Sequence, residues 1–584
     1  MGGLTTRRDF LGTVSVGSCL AAWSVGQAPR RLRAAESSSG EGDADLVGHW
    51  PLAVDTQDHS PLRHPTKAID VELGHAGPHG QPQTAARFNG FSSLLEVPDH
   101  AALRFGSGEF TIAAWVHSDP READVVGTLL SKFDPARRTG VQLDVLSTDG
   151  VTSTALASAR QLSFGVDDGR PPAAWDDCGR PGNAVLVAAL SVVQGNLYAG
   201  TLETGREERG HLWRYAGGRQ WVDLGNPMGC NIVQSVVEFD GALYCGVGRY
   251  NCSGSVLGET LNTIPGGKVF RVAADGNWTE CGHPGHEDAT PEDGRVGAYA
   301  SGKADDVMAL TVYRGELYCV SNHRRNVFKY AGGRQWKNVG LDHRIITLKV
   351  YRGKLYALVN GGPVYRYEGG TEWVYCGTPE KATQLYGAVI HQGEMYVGTW
   401  PEGEVFRYQG GETWELVGRA GYEREVMAAV LYNGKAYFGS LPMANVWRLD
   451  GNRFTFVGNL DNSPVILRRV WSMAVYQGRL FAGTLPSGHV WSTEAGKLAT
   501  WDRPFPGGWH HVAATRDRQQ LTVYVDGKQV AASSPFAGTE YQVTNGRPLQ
   551  IGDGTYEHFH GLMSDVRLYR RSLSASQVAK MAMK

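Results

Sequence analysis

The sequence predicts an all-β protein of two or three domains, and three observations lead to this prediction. The chain has 584 residues, more than one hydrophobic core usually organises. It contains 76 glycines, which allow tight turns, together with 16 tryptophans and 24 tyrosines, which pack well on pleated surfaces. Its middle part repeats a strand-rich unit about every 40 residues. Frequent turns, aromatic strands and a short repeat together favour many short strands over helices.

The first element along the chain is predicted to be a targeting segment. Thr6-Arg7-Arg8-Asp9-Phe10-Leu11 precedes a weakly apolar run that ends near Ala22. This pattern resembles a twin-arginine export signal and departs from the usual motif only at Gly12, where lysine is common. The resemblance implies export to the periplasm, the cell envelope or the extracellular space. Val16-Gly17-Ser18-Cys19 also resembles a lipoprotein box, which makes Cys19 a candidate lipid anchor.

The signal is expected over residues 1–35, and a linker rich in Ser, Gly and Glu over residues 36–45. No later stretch reaches the roughly 18 apolar residues that a membrane-spanning helix needs. The formal net charge of -2 leaves no basic excess to neutralise phosphates. Nucleic acid is therefore not expected as a partner.

A repeated unit occupies residues 171–495. Each unit combines an apolar strand, a Gly-x-Leu-Tyr hairpin and a Val-Phe-Arg-Tyr-x-Gly-Gly-x-x-Trp segment, or close variants of these. The hairpin glycines are Gly195, Gly241, Gly315, Gly353, Gly393, Gly434 and Gly478. A period of about 40 residues with four short strands per unit is typical of a β-propeller. The sequence therefore predicts a propeller of seven blades.

The fifth and seventh units show how the blades are built and how the ring closes. The four strands of the fifth unit are predicted over Leu385–Ile390, Glu394–Gly398, Glu404–Tyr408 and Thr413–Val417. The seventh unit stops after its third strand, at Val490–Ser492, and an unassigned strand, Trp175–Gly179, precedes the first unit. We expect this N-terminal strand to complete the last blade, which removes a sheet edge. The blade pattern is similar to kelch and galactose-oxidase-like propellers, without the copper ligands of the oxidases.

The segments on either side of the repeats look like two halves of one domain. Residues 46–170 include Leu46–Leu52, Phe110–Val116 and the predicted strand Gln161–Val166. Residues 496–584 include Trp509–Ala513, Leu521–Gly527, Phe559–Tyr569 and a predicted helix over Leu573–Met581 with Ser574 as its cap. In this order the motifs resemble a laminin-G-like domain of the concanavalin A-like lectin/glucanase superfamily. The resemblance implies a jelly roll that the propeller interrupts.

Laminin-G-like domains often bind glycans or proteins, sometimes through calcium. Asp55, Asp58 and Asp553 are candidate oxygen ligands for calcium. Each also lies in a turn context where aspartate is common for conformational reasons. No other cofactor is expected. The Glu-x-Asp-x-x-Glu strand of related glucanases is absent.

The starts of the first strands mark the candidate ligand site, because they meet at one mouth of the ring. Residues there are polar and of mixed charge: Asn231, Asp305, Asp306, His343, Arg344, Gln384, Arg424, Glu425, Arg468 and Arg469. Two long insertions, near residues 249–266 and 283–303, are expected to form a wall beside this mouth. A solvated rim of paired charges is the alternative explanation of the same polarity.

Seven cysteines follow the signal, and their odd number argues against a full disulfide framework. Five recur at fixed repeat positions and are predicted to be small core residues: Cys178, Cys245, Cys281, Cys319 and Cys376. Cys230 and Cys252 fall outside that register and form a candidate disulfide.

Two classes of function remain. The preferred one is an exported, non-catalytic protein of the cell envelope that binds a carbohydrate or a cell-surface protein. The alternative is a polysaccharide-active enzyme, a hydrolase or a lyase, with Asp306, Glu425 and His343 as acid–base candidates at the mouth. Two carboxyls about 5–9 Å apart would favour the enzyme. Carboxyls neutralised by Arg344, Arg424 and Arg469 would favour a binder or an inert rim.

Overall fold

The computed structural model describes residues 45–119, 121, 127–148, 157–250, 257, 260–285, 306–321 and 324–583. The predicted signal with Cys19, together with Cys252 and Asp305, lies outside these residues. Within them the chain forms 43 strands, one α-helix of seven residues and two short 3-10 helices, at Pro78–Gly80 and Ala101–Leu103. The prediction of an all-β fold is confirmed.

Nine strands precede the repeats. They are β1 (Leu46–Trp50), β2 (Lys67–Ile69), β3 (Glu72–His75), β4 (Ala85–Asn89), β5 (Leu94–Val97), β6 (Phe110–Ser118), β7 (Gly127–Asp134), β8 (Thr139–Thr148) and β9 (Ser158–Asp168).

The repeats begin with a short strand, β10 (Asp176–Asp177), and continue in units that we number along the chain. Unit 1 contains β11 (Leu186–Val193), β12 (Asn196–Leu202), β13 (Leu212–Gly217) and β14 (Gln220–Asp223). Unit 2 contains β15 (Ile232–Phe239), β16 (Ala242–Gly248), β17 (Lys268–Val272) and β18 (Trp278–Glu280). Unit 3 contains β19 (Ala309–Tyr313), β20 (Glu316–Val320), β21 (Phe328–Gly332) and β22 (Gln335–Asn338).

The later units follow the same plan. Unit 4 contains β23 (Ile345–Tyr351), β24 (Lys354–Val359), β25 (Val364–Gly369) and β26 (Glu372–Tyr375). Unit 5 contains β27 (Gln384–His391), β28 (Glu394–Trp400), β29 (Glu404–Gly410) and β30 (Thr413–Arg419). Unit 6 contains β31 (Glu425–Tyr432), β32 (Lys435–Leu441), β33 (Asn445–Asp450) and β34 (Arg453–Asn459). Unit 7 contains β35 (Arg469–Tyr476), β36 (Arg479–Leu485) and β37 (Val490–Thr493).

Six strands and the helix follow the repeats. They are β38 (Lys497–Pro504), β39 (Gly508–Arg516), β40 (Leu521–Val525), β41 (Lys528–Ala532), β42 (Leu549–Ile551), β43 (His560–Tyr569) and α1 (Ala575–Met581).

Two sheets combine strands from both ends of the chain. One sheet has the order β3-β4-β43-β6-β39-β40-β41, with β1 also paired to β43. The other has the order β2-β5-β42-β7-β8-β9-β38. Strand β6 pairs with β39 along its whole length, from Phe110 opposite Arg516 to Ser118 opposite Gly508. Neither sheet is complete without strands from both sides of the repeats, so the two flanking segments form one jelly roll, as the laminin-G-like resemblance implied.

The hydrophobic core of the jelly roll lies between these sheets. Strand β6 alternates, and Ile112 and Val116 on one face join Val512 of β39 in this core. Trp50 is fully buried in the same cluster. The closing helix begins after Ser574, whose side chain accepts a hydrogen bond from the backbone N–H of Gln577 in a capping box. The predicted helix and its cap are thus confirmed.

The repeats form antiparallel sheets in a propeller-like arrangement. Units 3 to 6 are separate four-stranded sheets, and units 1 and 2 are joined into one sheet by the pairing of Leu202 with Ile232. The strands predicted for the fifth unit are confirmed as β27 to β30. The predicted closure is confirmed as well, because Asp176 and Asp177 of β10 pair with Ser492 and Trp491 of β37.

Fourth-strand tryptophans tie units 1 to 5 to the preceding sheet. Nε1 of Trp221 donates to the carbonyl oxygen of Cys178 at 2.9 Å, and Nε1 of Trp414 donates to that of Cys376 at 2.8 Å. The cysteines that the structure describes are all buried: Cys178, Cys230, Cys245, Cys281, Cys319 and Cys376. The register cysteines are therefore core residues, as predicted.

The jelly roll covers the hairpin end of the ring. The backbone N–H of Gly195 donates to the carbonyl oxygen of Asp502 at 2.7 Å, and that of Gln392 donates to Thr555 at 3.0 Å. The side chain of Asn433 donates to the carbonyl oxygen of Val166 at 3.2 Å. Because these contacts come from hairpins in different units, we infer that the central channel is closed at this end.

Candidate ligand site at the propeller mouth

The first strands of the units begin at the end away from the jelly roll. Strands β15, β27, β31 and β35 start at Ile232, Gln384, Glu425 and Arg469, which are positions that the sequence placed at the mouth. Strand β27 packs against β31, β31 against β35, and β35 against β11. Their first residues therefore surround a common opening.

Glu425 is a charged side chain buried at this opening. Its exposed fraction is 2%, and Oε1 has no hydrogen-bond partner among the residues that the structure describes. Burial raises the pKa of Glu425 to about 7, against the opposing effects of the nearby Arg469 charge and a hydrogen bond with Tyr386. At neutral pH this carboxyl can therefore either donate or accept a hydrogen bond.

Tyr386 connects several of the predicted mouth residues. Its hydroxyl donates to Oε1 of Gln384. Burial raises the pKa of the Tyr386 phenol, the charge of Glu425 raises it further, and the charges of Arg469 and Arg344 oppose the rise. Tyr386 of unit 5 therefore lies within electrostatic range of Glu425 of unit 6, Arg469 of unit 7 and Arg344, which precedes β23 of unit 4.

A β-bulge in the first strand directs an extra residue toward the channel. In unit 7 the pairing shifts between Val470 and Ser472, and the intervening Trp471 packs in the cluster at the channel. In unit 2 the same shift falls between Val233 and Ser235. We infer from this equivalence that the intervening Gln234 also faces the channel.

Gln234 is fully buried, and neither its amide nitrogen nor its amide oxygen has a partner among the described residues. An unsatisfied buried polar group costs about 1–3 kcal/mol. Such a group is retained most readily where a water or a ligand satisfies it. Gln234 and Glu425 together give the channel unused donors and acceptors next to an aromatic surface.

Aromatic rings and arginines form the rest of the mouth. The rings of Trp471 and Tyr250 lie 6.5 Å apart in an edge-on arrangement. The Arg469 guanidinium lies 5.6 Å from the centre of the Trp471 ring. The Arg424 guanidinium lies 4.6 Å from the ring of Trp400. Cation–π contacts of this kind hold the arginines in place over apolar faces.

The remaining predicted mouth residues have partners that position loops. Nδ2 of Asn231 donates to the carbonyl oxygen of Tyr250, and Oδ1 accepts from the Tyr250 N–H, both at 2.8 Å. The His343 ring stacks on Tyr365, with the Tyr365 hydroxyl 3.2 Å from Nε2. Nη1 of Arg468 donates to the carbonyl oxygen of Ser463 at 3.0 Å.

The two carboxyls nominated as an acid–base pair have different neighbours. Asp306 is buried just before unit 3 and accepts from the Ser321 hydroxyl at 3.4 Å. Glu425 lies in unit 6 with Tyr386 and Arg469 as neighbours. The described hydrogen bonds therefore place Asp306 beside Ser321 and Glu425 beside Tyr386, in different units.

The calcium candidates lie in turns of the jelly roll. Asp58 is buried and accepts hydrogen bonds from the backbone of His49, Ser60 and His64, each at 2.8 Å. Asp55 accepts from the backbone N–H of Gln57 at 3.0 Å. The neighbours of Asp553 are Gln550, at 3.2 Å, and His558, at 3.5 Å. Within the part of the chain that the structure describes, no three His, Cys, Asp or Glu side chains are grouped to hold a metal ion.

The sequence analysis missed Gln234, Tyr386 and Trp471. All three lie seven residues before a hairpin glycine, two positions after the predicted mouth residues. The bulge that turns Gln234 and Trp471 toward the channel arises from strand pairing and leaves no sequence signature of its own. A search of this repeat position for large or polar residues would have found them.

Comparison with known protein families supports the concanavalin A-like architecture. The family described as the concanavalin A-like lectin/glucanases superfamily, of the laminin G type, matches residues 462–579. That range contains β38 to β43 and also β35 to β37, which the structure places in the last repeat sheet. No curated protein matches the chain.

Solved structures with some similarity include β-propeller proteins. The WD40 β-propeller domain of Doa1 is 12% identical and covers 55% of this chain and 97% of that chain, with a TM-score of 0.38. YCF48 from Cyanidioschyzon merolae is 11% identical and covers 55% of this chain and 99% of that chain, also with a TM-score of 0.38. These scores are too low to support an argument about function.

The one α-helix of the described residues is too short to cross a membrane, and no other described helix is long and apolar enough to do so.

Proposed function

We propose that this protein is an exported, non-catalytic binding protein of the cell envelope that holds a carbohydrate in the mouth of its propeller. The observation that carries the proposal is a pair of buried side chains with unsatisfied polar atoms, the amide of Gln234 and Oε1 of Glu425, beside a channel with one closed end. Sugar hydroxyls both donate and accept hydrogen bonds, which suits an amide and a half-protonated carboxyl. Tyr386 and Trp471 add aromatic surface for the apolar faces of a sugar ring.

The proposed architecture is a closed ring of seven kelch-like blades at residues 171–495, inserted into a jelly roll at residues 46–170 and 496–584. The seven recurring units and the pairing of β10 with β37 support this ring. The strand pairings between the two flanks support the insertion.

Export by the twin-arginine route belongs to the same proposal and rests on Arg7 and Arg8. We expect mass spectrometry of the secreted or periplasmic protein to show loss of about the first 35 residues. A lipid on Cys19 would instead leave that residue as the modified N-terminus. The Arg7→Lys, Arg8→Lys double variant is expected to stay in the cytoplasm, and its normal export would overturn this route.

The test of ligand binding uses the purified mature chain on an array of polysaccharides and oligosaccharides, first with calcium and then with a chelator. We expect binding without release of reducing ends. Gln234→Leu and Glu425→Gln are expected to weaken it about tenfold each, since the first removes a hydrogen-bonding amide and the second replaces an ionisable carboxyl with a neutral amide, which is a weaker acceptor. Loss on chelation would assign calcium to the jelly roll, with Asp55, Asp58 and Asp553 as the residues to substitute.

Matched controls for these variants lie on outer strands of the repeats. Gln335 in β22 and Glu372 in β26 are exposed, so Gln335→Leu and Glu372→Gln are expected to bind like the parent chain. Absence of glycan binding, or binding by the mouth variants equal to that of the parent chain, would overturn the proposal that a carbohydrate binds at this site. A non-catalytic protein that binds a cell-surface protein there would then be the remaining form of the proposal.

One observation favours an enzyme as the second candidate. A buried carboxyl with a pKa of about 7, as in Glu425, is suited to donate a proton at neutral pH. A hydrolase would release reducing ends and a lyase would release unsaturated ends. Glu425→Gln would abolish that release while glycan is still retained, and Asp306 and His343 would be substituted next. Product release would overturn the non-catalytic proposal.

A further inference from the structure

Unit 6 exposes large apolar side chains on the loops around its mouth end. The exposed fractions are 96% for Tyr422, 75% for Ile466, 44% for Met443 and 38% for Val465. These residues lie between β30 and β31, between β32 and β33, and between β34 and β35. All three connections emerge where the first strands begin. We call these four residues the unit 6 patch.

Backbone and side-chain contacts hold the three loops together. The backbone N–H of Arg468 donates to the carbonyl oxygen of Pro442 at 3.0 Å, and its guanidinium lies 3.3 Å from the sulfur of Met443. The Met443 N–H is 3.4 Å from Oε2 of Glu423, which follows Tyr422 in the chain. The patch is therefore one connected surface rather than separate exposed residues.

The charges that the patch presents to solvent are positive. Arg424 is exposed and Arg468 is half-buried beside the apolar side chains. The two carboxyls of the same loops, Glu423 and Asp461, are both buried. Glu423 accepts from the side chain of Asn445, while Asp461 accepts from backbone N–H groups at 2.9 and 3.0 Å. Acidic groups in these loops are thus turned inward while the basic groups remain outside.

We propose that the unit 6 patch docks a protein partner through a segment that carries both acidic and apolar residues. Connected exposed apolar side chains flanked by arginines are typical of protein interfaces. An acidic segment complements Arg424 and Arg468, and its apolar residues cover Tyr422 and Ile466. The apolar residues Tyr422 and Ile466 do not belong to the proposed carbohydrate site, whose groups Gln234 and Glu425 are buried.

The experiment selects phage-displayed octapeptides on the immobilised mature chain. We expect enriched peptides with net negative charge and at least two large apolar residues. Synthetic copies are expected to bind the Tyr422→Ser, Ile466→Ser double variant about tenfold more weakly, because the variant removes the apolar contact. Arg424→Glu is expected to weaken them to a similar extent and to reduce their salt dependence.

Matched controls are available on the outer strands. Leu416 in β30 is exposed and apolar, and Arg453 in β34 is exposed and basic. Leu416→Ser and Arg453→Glu are expected to bind the peptides like the parent chain. The Tyr422→Ser, Ile466→Ser double variant, which leaves every mouth residue intact, is also expected to retain glycan binding, and this separates the proposal from the carbohydrate site.

Two outcomes overturn the proposal. One is a failure to enrich acidic–apolar peptides, or enrichment that the patch variants leave unchanged. The other is a dimer of the parent chain in light scattering that Ile466→Ser converts to monomer, because the patch would then be covered by a second copy of this chain.

Discussion

The two ends of the propeller-like ring are built from the same repeat but treat their buried polar groups differently. At the hairpin end, Asn433 donates to the carbonyl oxygens of Val166 and Ala495 and accepts from the side chain of Gln142 at 2.9 Å. At the mouth, Gln234 has no partner among the described residues. The hairpin end is fixed by these contacts with the jelly roll, although Oε1 of Gln142 also lacks a partner there among the residues that the structure describes. At the mouth both polar atoms of Gln234 lack one, so the whole amide is available to a ligand.

The largest expected loss of stability comes from removing an ion pair at the hairpin end, where the ring is fixed to the jelly roll. Lys435 of unit 6 and Asp167 of β9 form an ion pair in which each side chain is 2% exposed. Asp167→Ala leaves the ammonium buried without its partner and is expected to lower the free energy of unfolding by about 3–5 kcal/mol. Urea denaturation measures this loss.

A surface pair serves as the control for this variant. Lys354 and Glu368 pair at 2.8 Å with both side chains partly exposed to solvent. Glu368→Ala is expected to cost less than about 1 kcal/mol. Equal losses for the two variants would show that the seam between ring and jelly roll contributes no more than surface charge.

Two hairpin glycines at the hairpin end of the ring differ in how closely the jelly roll approaches them. A β-carbon on Gly478 would collide with the carbonyl oxygen of Leu498 in β38, whereas one on Gly241 would meet no atom within 4 Å. Both residues have positive φ, 72° and 67°, so alanine is strained at either position. We expect Gly241→Ala to cost about 1 kcal/mol and Gly478→Ala about 2 kcal/mol more. Thermal unfolding of both variants measures the difference, and similar losses would contradict a tight contact at Gly478.

The fixed end should also respond to pH. Burial raises the pKa of Asp144 and of Glu557 to about 7 and that of Asp502 to about 6. A raised pKa means that the folded state binds more protons than the unfolded chain. The associated stability is therefore fully present below about pH 4 and is lost as the pH rises through 6 to 7.

We expect the free energy of unfolding to fall by about 1–3 kcal/mol between pH 5 and pH 8. Asp144→Asn is expected to reduce this dependence, because an amide in place of the carboxyl does not titrate. Urea titrations at several pH values test the sign. Stability that rises across this range would show that these carboxyls are ionised and paired in the folded protein.

The smallest effect on stability is expected at the mouth. Gln234→Leu removes an amide that has no partner among the described residues. Glu425→Gln keeps the size of a side chain whose Oε1 lacks a partner, and the new amide can still hydrogen-bond with Tyr386. We expect stability to change by less than about 1 kcal/mol or to rise, while ligand binding falls. A loss comparable to that of Asp167→Ala would mean that these side chains support the fold instead.

Much of the fold could be predicted from the sequence, because the repeat and its turns are local signals. The closure by Trp175–Gly179 followed from a missing fourth strand, and the cap at Ser574 from its position before a helical run. The contacts of the hairpin tips with the jelly roll could not be predicted in this way. Asn433 and Asp167 are far apart in the chain, and only the assembled fold shows that both lie at one seam.

The sequence predicted only the part of the site that lies at the strand starts. Polar residues at the strand starts, such as Glu425 and Arg469, stand out in an apolar repeat. The residues deeper in the channel do not stand out in the sequence, because Gln234 and Trp471 look like ordinary strand residues. Their exposure to the channel depends on a bulge, which arises from the pairing of two strands.

The pairing of β10 with β37 has a consequence for synthesis of the protein. The last sheet of the ring needs residues near 176 and residues near 492, and the jelly roll needs strands that end at Tyr569. The jelly roll cannot be completed while the final part of the chain is still inside the ribosome, whereas the last ring sheet needs the chain only to Thr493. A product truncated before Val490 therefore carries open sheet edges in both architectures at once, which gives quality-control proteases a clear signal to degrade it.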